Sequence, residues 1–363
     1  MPDLGALLWP RTVALIGASA DTETLRGRIF KVMRGHAFGG KLYPVSRSSG
    51  EVMGLKAYPS ITDLPERADL AVIIIPAQHV PDELERCGKA GVRAAVILSS
   101  GFAEGGGDEG GRMQGELRAI ASRYDMAVSG PNSEGFANIA ANLCPTFSPA
   151  MEASDRPLVP AGRARPQVAV CAQSGGMGFA FFDHGRAKEL SFRYVVTTGN
   201  EACLETLDFA DFMLDEGKTD ALLLLLEDVK TPDRFRSVAE KALRAGKPLI
   251  VNKIGQSDAG VRAAASHTAA LAGAYAAYMV ISEIRTSGDL PYDGTTDPAN
   301  SKFNGFDYGL VGGAAINLGE RAQIGIRYEH GLNDLANNDI SHDVLGSSKN
   351  STLQGYLAIA LGK

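Results

Sequence analysis

A chain of 363 residues, 45% hydrophobic and 21% charged, has enough apolar material for two or three domains, each with its own core. Its net charge of -6 supplies no basic excess to displace counterions from a phosphate backbone, which excludes a nucleic-acid partner held in that way. Small phosphorylated ligands stay open, because glycine turns and helix N-termini bind them without net positive charge.

Cys87, Cys144, Cys171 and Cys203 are scattered without C-x-x-C spacing and read as thiols of a reduced compartment, with neither a disulfide framework nor a metal site. The first ten residues lack the charged and apolar regions of a secretory signal, and no run reaches the roughly twenty apolar residues of a spanning helix. A cytoplasmic protein is expected.

The first segment, residues 1–142, opens on the apolar run Val13 to Ile16, then Gly17, Ala18, Ser19 and Ala20, then helical spacing from Leu25 to Gly35. A strand that ends in a glycine turn at a helix start faces backbone N–H groups toward an anion. Without the full G-x-G-x-x-G spacing, the turn reads equally as a phosphate loop or a plain strand–helix corner. Further strands are expected at 41–45, 70–75, 94–98 and 126–128, with helices at 80–90 and 110–123. Runs apolar on both faces and separated by helices predict a parallel doubly wound sheet. Its ligand crevice lies at the strand ends: Gly17 to Ala20, Pro76–Ala77, Ser99 to Gly101 and Gly130 to Asn132.

Pro145 to Pro166 reads as a linker within the second segment, residues 143–282. A strand at 167–171 then runs into Gln173, Ser174, Gly175 and Gly176, again a helix start with unsatisfied N–H groups. Ser174 invites a hydrolase reading, but G-x-S-x-G is absent. Strands at 194–196, 222–226 and 248–252 and a helix at 234–245 repeat the strand–helix order, so a second, flavodoxin-like parallel sheet is expected. Glu227 closes the strand 222–226, and His267 lies between runs of small residues that let a phosphate approach its ring. His267 reads either as an ordinary helix-start histidine capped by Ser266 or as a nucleophile. Glu227 reads either as a solvated strand-end carboxylate or as the group that fixes the imidazole tautomer.

The series VALIGAS, LYPV, LAVIIIPA, VILSSGFAE and SGPNSEGF, followed by VAVCAQSGGMG, TTGNEA, LLLLLE, KPLIVNKIGQS and AAASHTAALAG, resembles in order and spacing the NDP-forming acyl-CoA synthetases, the superfamily of succinyl-CoA ligase alpha subunits. The resemblance implies an α/β fold: a Rossmann-like CoA-binding domain over 1–142 and a flavodoxin-like succinyl-CoA-ligase-type domain over 143–282, truncated. It implies that Gly17, Ala18, Ser19 and Ala20 border the CoA diphosphate, with Arg47 near a phosphate. Pro76 and Asn132 stand at strand ends, and Ser99, Ser100 and Gly101 along the pantetheine arm. Ser174, Gly175 and Gly176 match the phosphate-holding helix start, His267 the phosphorylated histidine, Glu227 its carboxylate partner, and Phe179 falls near the acyl pocket. Three positions depart from the family pattern. Arg47 stands in place of a lysine after proline, Ser133 in place of cysteine, and Tyr275 in place of aspartate.

The implied ligands are coenzyme A, acyl-CoA and acyl phosphate. ADP or ATP with Mg would enter only through an ATP-grasp beta-type partner that these residues do not include, in an oligomer. A non-catalytic CoA- or nucleotide-binding module is the alternative. Composition changes after Ile284, where period-two strands and polar loops replace helices. Residues 283–363 resemble the last strands of outer-membrane β-barrel proteins of the porin-like, PorT-type kind. The expectation is a short antiparallel tail joined to an unrelated piece somewhere in 279–300, as a fusion or assembly artefact, or else an all-β appendage. A membrane contact follows only if that barrel character is real.

Overall fold

The computed structural model describes residues 3–105, 107–152, 158 and 166–253, and the backbone of four further strands. The chain divides into two units, Met1–Asp220 and Ala221–Lys363.

The first unit runs α1 (Leu4–Leu8), β1 (Thr12–Ile16), α2 (Leu25–Gly35), β2 (Lys41–Val45), β3 (Glu51–Val52), β4 (Leu55–Lys56), β5 (Leu70–Ile73), α3 (Val80–Lys89), β6 (Ala94–Ile97), α4 (Asp108–Arg123) and β7 (Ala127–Ser129). It continues with β8 (Phe136–Asn138), β9 (Gln167–Ala172), α5 (Gly175–Ala187), β10 (Ser191–Thr197) and α6 (Thr206–Glu216). Five strands form a sheet in the order β2-β1-β5-β6-β7, every neighbouring pair parallel. Every residue of β1, β5 and β6 is buried, as strands covered on both faces require. The α3 sequence suits its place: Pro81 opens it, Asp82 and Glu83 sit in the first turn, and Arg86 and Lys89 in the last. The chain leaves β1 on one side to form β2 and returns on the other to form β5. A crevice therefore opens at the carboxyl ends of these strands.

The second sheet of this unit departs from the expected all-parallel pattern. β9 and β10 pair in parallel, but β8 runs antiparallel to β10, with Val195 opposite Ala137. β8 lies within the first segment by sequence, and its partner lies in the second. The start of the expected linker is likewise packed. Thr146 and Met151 are buried, and Gly135 and Asn138 bridge to Thr146 and Leu143. Leu143 and Asn138 exchange both backbone bonds and Phe136 donates its N–H to the Pro145 carbonyl, while the Thr146 amide donates to the Cys144 carbonyl.

Loop β10–α6 is built around Glu201, which is 5% exposed. Its carboxylate accepts from the Thr206 amide (2.7 Å) and hydroxyl (2.7 Å), the Thr198 hydroxyl (3.0 Å) and the Gln173 side-chain amide (2.9 Å). Buried donors deprived of an acceptor cost about 1–3 kcal/mol each when no water replaces it. Glu201→Ala is expected to cost about 3 kcal/mol, seen as a lowered urea midpoint. An unchanged midpoint would mean that water restores the bonds.

The second unit contains β11 (Ala221–Leu226), α7 (Pro232–Arg244), β12 (Leu249–Lys253), β13 (Gly273–Tyr278), β14 (Phe306–Asn317), β15 (Ala322–Gly331) and β16 (Ser351–Ile359). β11 and β12 pair in parallel. β13 then adds antiparallel to β12, and β14, β15 and β16 follow as an antiparallel meander. Residues 273–278, shortly after His267, form a strand that takes up the ladder groups on the open edge of β12. Among the described residues no helix is long and apolar enough to cross a membrane, and no group of His, Cys, Asp and Glu could hold a metal ion.

Candidate functional site

The crevice at the ends of β1, β2 and β5 holds a cavity of about 240 Å³. The turn that shapes it is fixed by Gly17, whose φ is +92° and whose N–H donates to the Val45 carbonyl (3.0 Å), as does that of Ala18 (3.1 Å). Gly17, Ala18, Ser19, Arg47 and Pro76 all line the cavity. Ala20 is exposed and outside that lining. Ser46, Ser48, Arg26, His79 and Glu83 join the lining although their sequence patterns did not single them out. The strand-end rule could have found them: the serines follow β2, Arg26 is in the first turn of the helix after the glycine turn, and His79 and Glu83 follow Pro76.

Ser99, Ser100, Gly101 and Asn132 stand outside the cavity lining. Ser99 is 6% exposed, and its hydroxyl donates to the Ile75 carbonyl (2.6 Å) and accepts from the Ile75 amide (3.1 Å), tying β6 to the end of β5. Gly101 donates its N–H to Glu104 (2.6 Å). Burial alone would raise the Glu104 carboxyl, but hydrogen bonds from Asn200 and the amides of Gly101 and Phe102 outweigh it and hold its pKa below the ordinary value. Asn132 donates its backbone amide to the Ser99 carbonyl (2.9 Å) and its side-chain NH2 to the Asn200 side-chain oxygen Oδ1 (3.1 Å). These residues form a polar cluster around Asn200, which also donates to Gln114 (3.0 Å).

At the second candidate site, Ser174 is the N-cap of α5, and its hydroxyl makes no capping bond. Phe179, a turn further on, is buried. A Cβ added to Gly175 would meet the Glu134 Cγ at 2.6 Å, and one on Gly176 would stand 3.7 Å from the Glu134 Oε1. The glycines thus give room to Glu134, a residue the sequence patterns did not single out. Burial raises the Glu134 carboxyl above its ordinary pKa.

The folded chain therefore holds that proton to higher pH than the unfolded chain. The associated stability is full below the ordinary carboxylate pKa and is lost as pH rises through the raised folded value. Glu134→Gln is expected to raise Tm at pH 7 and to leave it unchanged near about pH 4. Thermal melts at the two pH values check this, and an equal gap at both would rule out burial of the charge as the cause.

In the second unit, Glu227 follows β11, and Leu226 stands in register with Lys253 at the end of β12. The Lys253 Nζ donates to the Glu227 carbonyl (2.7 Å). Burial lowers the Lys253 pKa, partly offset by the charges of Asp228 and Glu227. His267 lies outside the described residues.

Residues 11–138 match the family described as CoA binding domain, and residues 165–285 match the succinyl-CoA ligase like flavodoxin domain. The chain is 38% identical over 269 residues to the ADP-forming acetate–CoA ligase II subunit alpha of Pyrococcus furiosus, a match covering 74% of this chain and 56% of that one. It is 36% identical over 272 residues to the ADP-forming acetate–CoA ligase I of Archaeoglobus fulgidus, covering 75% and 38%. Among solved structures, the dinucleotide forming acetyl-coenzyme A synthetase 1 of Ca. Korarchaeum cryptofilum, in complex with phosphate and ADP, matches at 35% identity with a TM-score of 0.64, covering 74% of this chain and 55% of that one. The chain spans about half the length of the relatives it matches, from 38% to 56% in these two ligases.

Proposed function

We propose that this chain, which joins a Rossmann-like CoA-binding domain to a flavodoxin-like succinyl-CoA ligase domain, is the alpha-like part of an NDP-forming acyl-CoA ligase. The observation that carries the reading is the succession of both domain matches in one chain, with relatives of that activity at 36–38% identity. The cavity at the β1, β2 and β5 ends supports it: a glycine turn, serine hydroxyls and arginines suit the phosphates of a carrier such as coenzyme A.

In this reading a phosphate oxygen attacks the thioester carbonyl of acyl-CoA. The carbon–sulfur bond breaks, the departing thiolate takes a proton, and an acyl phosphate forms. The imidazole of His267 then attacks phosphorus and the acid leaves as its carboxylate. Glu227 holds the ring and offsets the charge of the phosphorylated imidazole, while Ser174, Gly175 and Gly176 hold the phosphate at a helix start. Transfer to ADP or GDP, with Mg, falls to an ATP-grasp beta-type partner subunit, and the assembly is cytoplasmic. Residues 283–363 are a separate coding piece of barrel-strand character. The end of the second family match at residue 285 supports a separate piece after it, whereas the barrel character rests on the strand pattern of the sequence alone, and recovery of the expressed chain free of membranes would argue against it.

The first half-reaction needs no nucleotide, so it tests the chain alone. Acyl phosphate and CoA should give thioester and phosphate. CoA binding without thioester formation would favour a non-catalytic carrier module, and absence of CoA binding would end both readings.

A further inference from the structure

The cavity contains a buried acid where a phosphate-binding site would be expected to hold none. Glu83, in the first turn of α3, is 4% exposed and lines the cavity. Its Oε2 pairs with Arg86 on the same helix, and the Arg47 Nη2 lies 3.6 Å from that same oxygen. Arg47 belongs to the loop after β2, and its side chain is 73% exposed. A long side chain this open to water would ordinarily sample many rotamers, and ordering it costs free energy each time an anion binds.

Resting on the reading that coenzyme A occupies this cavity, we propose that Glu83 is a positioning residue, which keeps Arg47 turned toward a phosphate of that ligand. The carboxylate acts in two ways. It attracts Arg47 across the crevice at a separation longer than a hydrogen bond, so the guanidinium keeps its donors for the ligand. It also offsets charge between Arg47 and Arg86, which would otherwise repel each other. Among the described residues Arg26 and His79, the other basic groups on the lining, make no ion pair with this carboxylate, whose partners are Arg47 and Arg86, and they bear on the ligand independently. A competing effect has the opposite sign: a buried negative charge near the site repels phosphate, so if Arg47 were not being positioned, removing Glu83 would strengthen binding.

A double-mutant cycle separates the two effects. CoA affinity is measured by calorimetry for the full chain, Arg47→Met, Glu83→Gln and the double variant, at one pH and salt concentration. Arg47→Met is expected to weaken binding about tenfold or more. Glu83→Gln should weaken it about three- to tenfold when Arg47 is present and not at all when Arg47 is methionine. An equal loss in both backgrounds would make Glu83 merely structural, and tighter binding by Glu83→Gln would make it a competitor of phosphate. Either result overturns the proposal. If the wild-type chain binds no CoA, the functional reading fails first and the two failures are told apart. Should Glu83→Gln not fold, Nε relaxation in the wild-type chain decides. Arg47 should be more ordered than Arg34, an exposed arginine without an ion pair among the described residues, and equal mobility would overturn the inference.

Discussion

His267→Ala is expected to abolish acid-labile phosphate on the chain while leaving both CoA affinity and thioester formation from acyl phosphate close to wild type. The split follows from the order of bond changes in the proposed reaction. Carbonyl chemistry between the thioester and phosphate is complete before the imidazole takes part, whereas the phosphoryl group has no other nucleophile to go to. Loss of a covalent nucleophile commonly costs on the order of 10³-fold or more in the step it serves, so labelling from radioactive phosphate and acyl-CoA should fall to background. A variant that lost both half-reactions would have lost its fold or its anion site, which a CoA titration would reveal. A variant that kept the label would transfer the role to another residue and end the assignment of His267.

Gly17→Val should abolish CoA binding and destabilise the first unit by about 2–4 kcal/mol. The backbone at Gly17 has φ +92°, a conformation that a β-branched residue avoids. Its added Cβ would lie 2.3 Å from the Ile74 carbonyl oxygen and 2.9 Å from the Ile75 Cγ2, and neither contact can be relieved by turning the end of a flexible side chain alone. The turn is also pinned from the other side by two amides on the Val45 carbonyl. Relief requires β5 to withdraw or the turn to lift, and both displace groups that line the cavity. A CoA titration beside a thermal melt checks the pair of effects. A variant that melted earlier but bound CoA normally would separate the turn from the ligand.

The strands of the first sheet were legible because a run apolar on both faces has few places to go other than between helices. Val13 to Ile16, Leu70 to Ile73 and Ala94 to Ile97 all became buried strands. β8 was not legible: three residues carry no periodicity, and its place depends on pairing with a strand more than fifty residues later. α6 had a readable stripe in Leu207, Ala210, Met213 and Leu214, all buried, but acidic residues between them obscured it. At the candidate sites, glycine turns announced themselves through residue type. Glu83 and Glu134 did not, since an acidic residue in a helix turn or loop ordinarily faces water, and only the folded chain buries the first and half-buries the second. Ser99 shows the converse: residue type suggested a hydroxyl available to a ligand, whereas both its donor and acceptor capacity are engaged by Ile75.

The crossing of β8 into the second sheet bears on where the polypeptide can be divided. Ser133 also donates to the Thr197 carbonyl (2.7 Å), Asn138 reaches the Leu8 carbonyl (2.7 Å), and Trp9 donates to the Tyr194 hydroxyl (2.9 Å). Scission after residue 142 would send an amino-terminal fragment away with a ribbon that has lost its mate, and leave the remainder with a bare β10 rim ready to recruit a foreign strand. The two nucleotide-fold lobes of the first 220 residues are stitched rather than strung, and a fragment meant to behave independently has to respect the stitch.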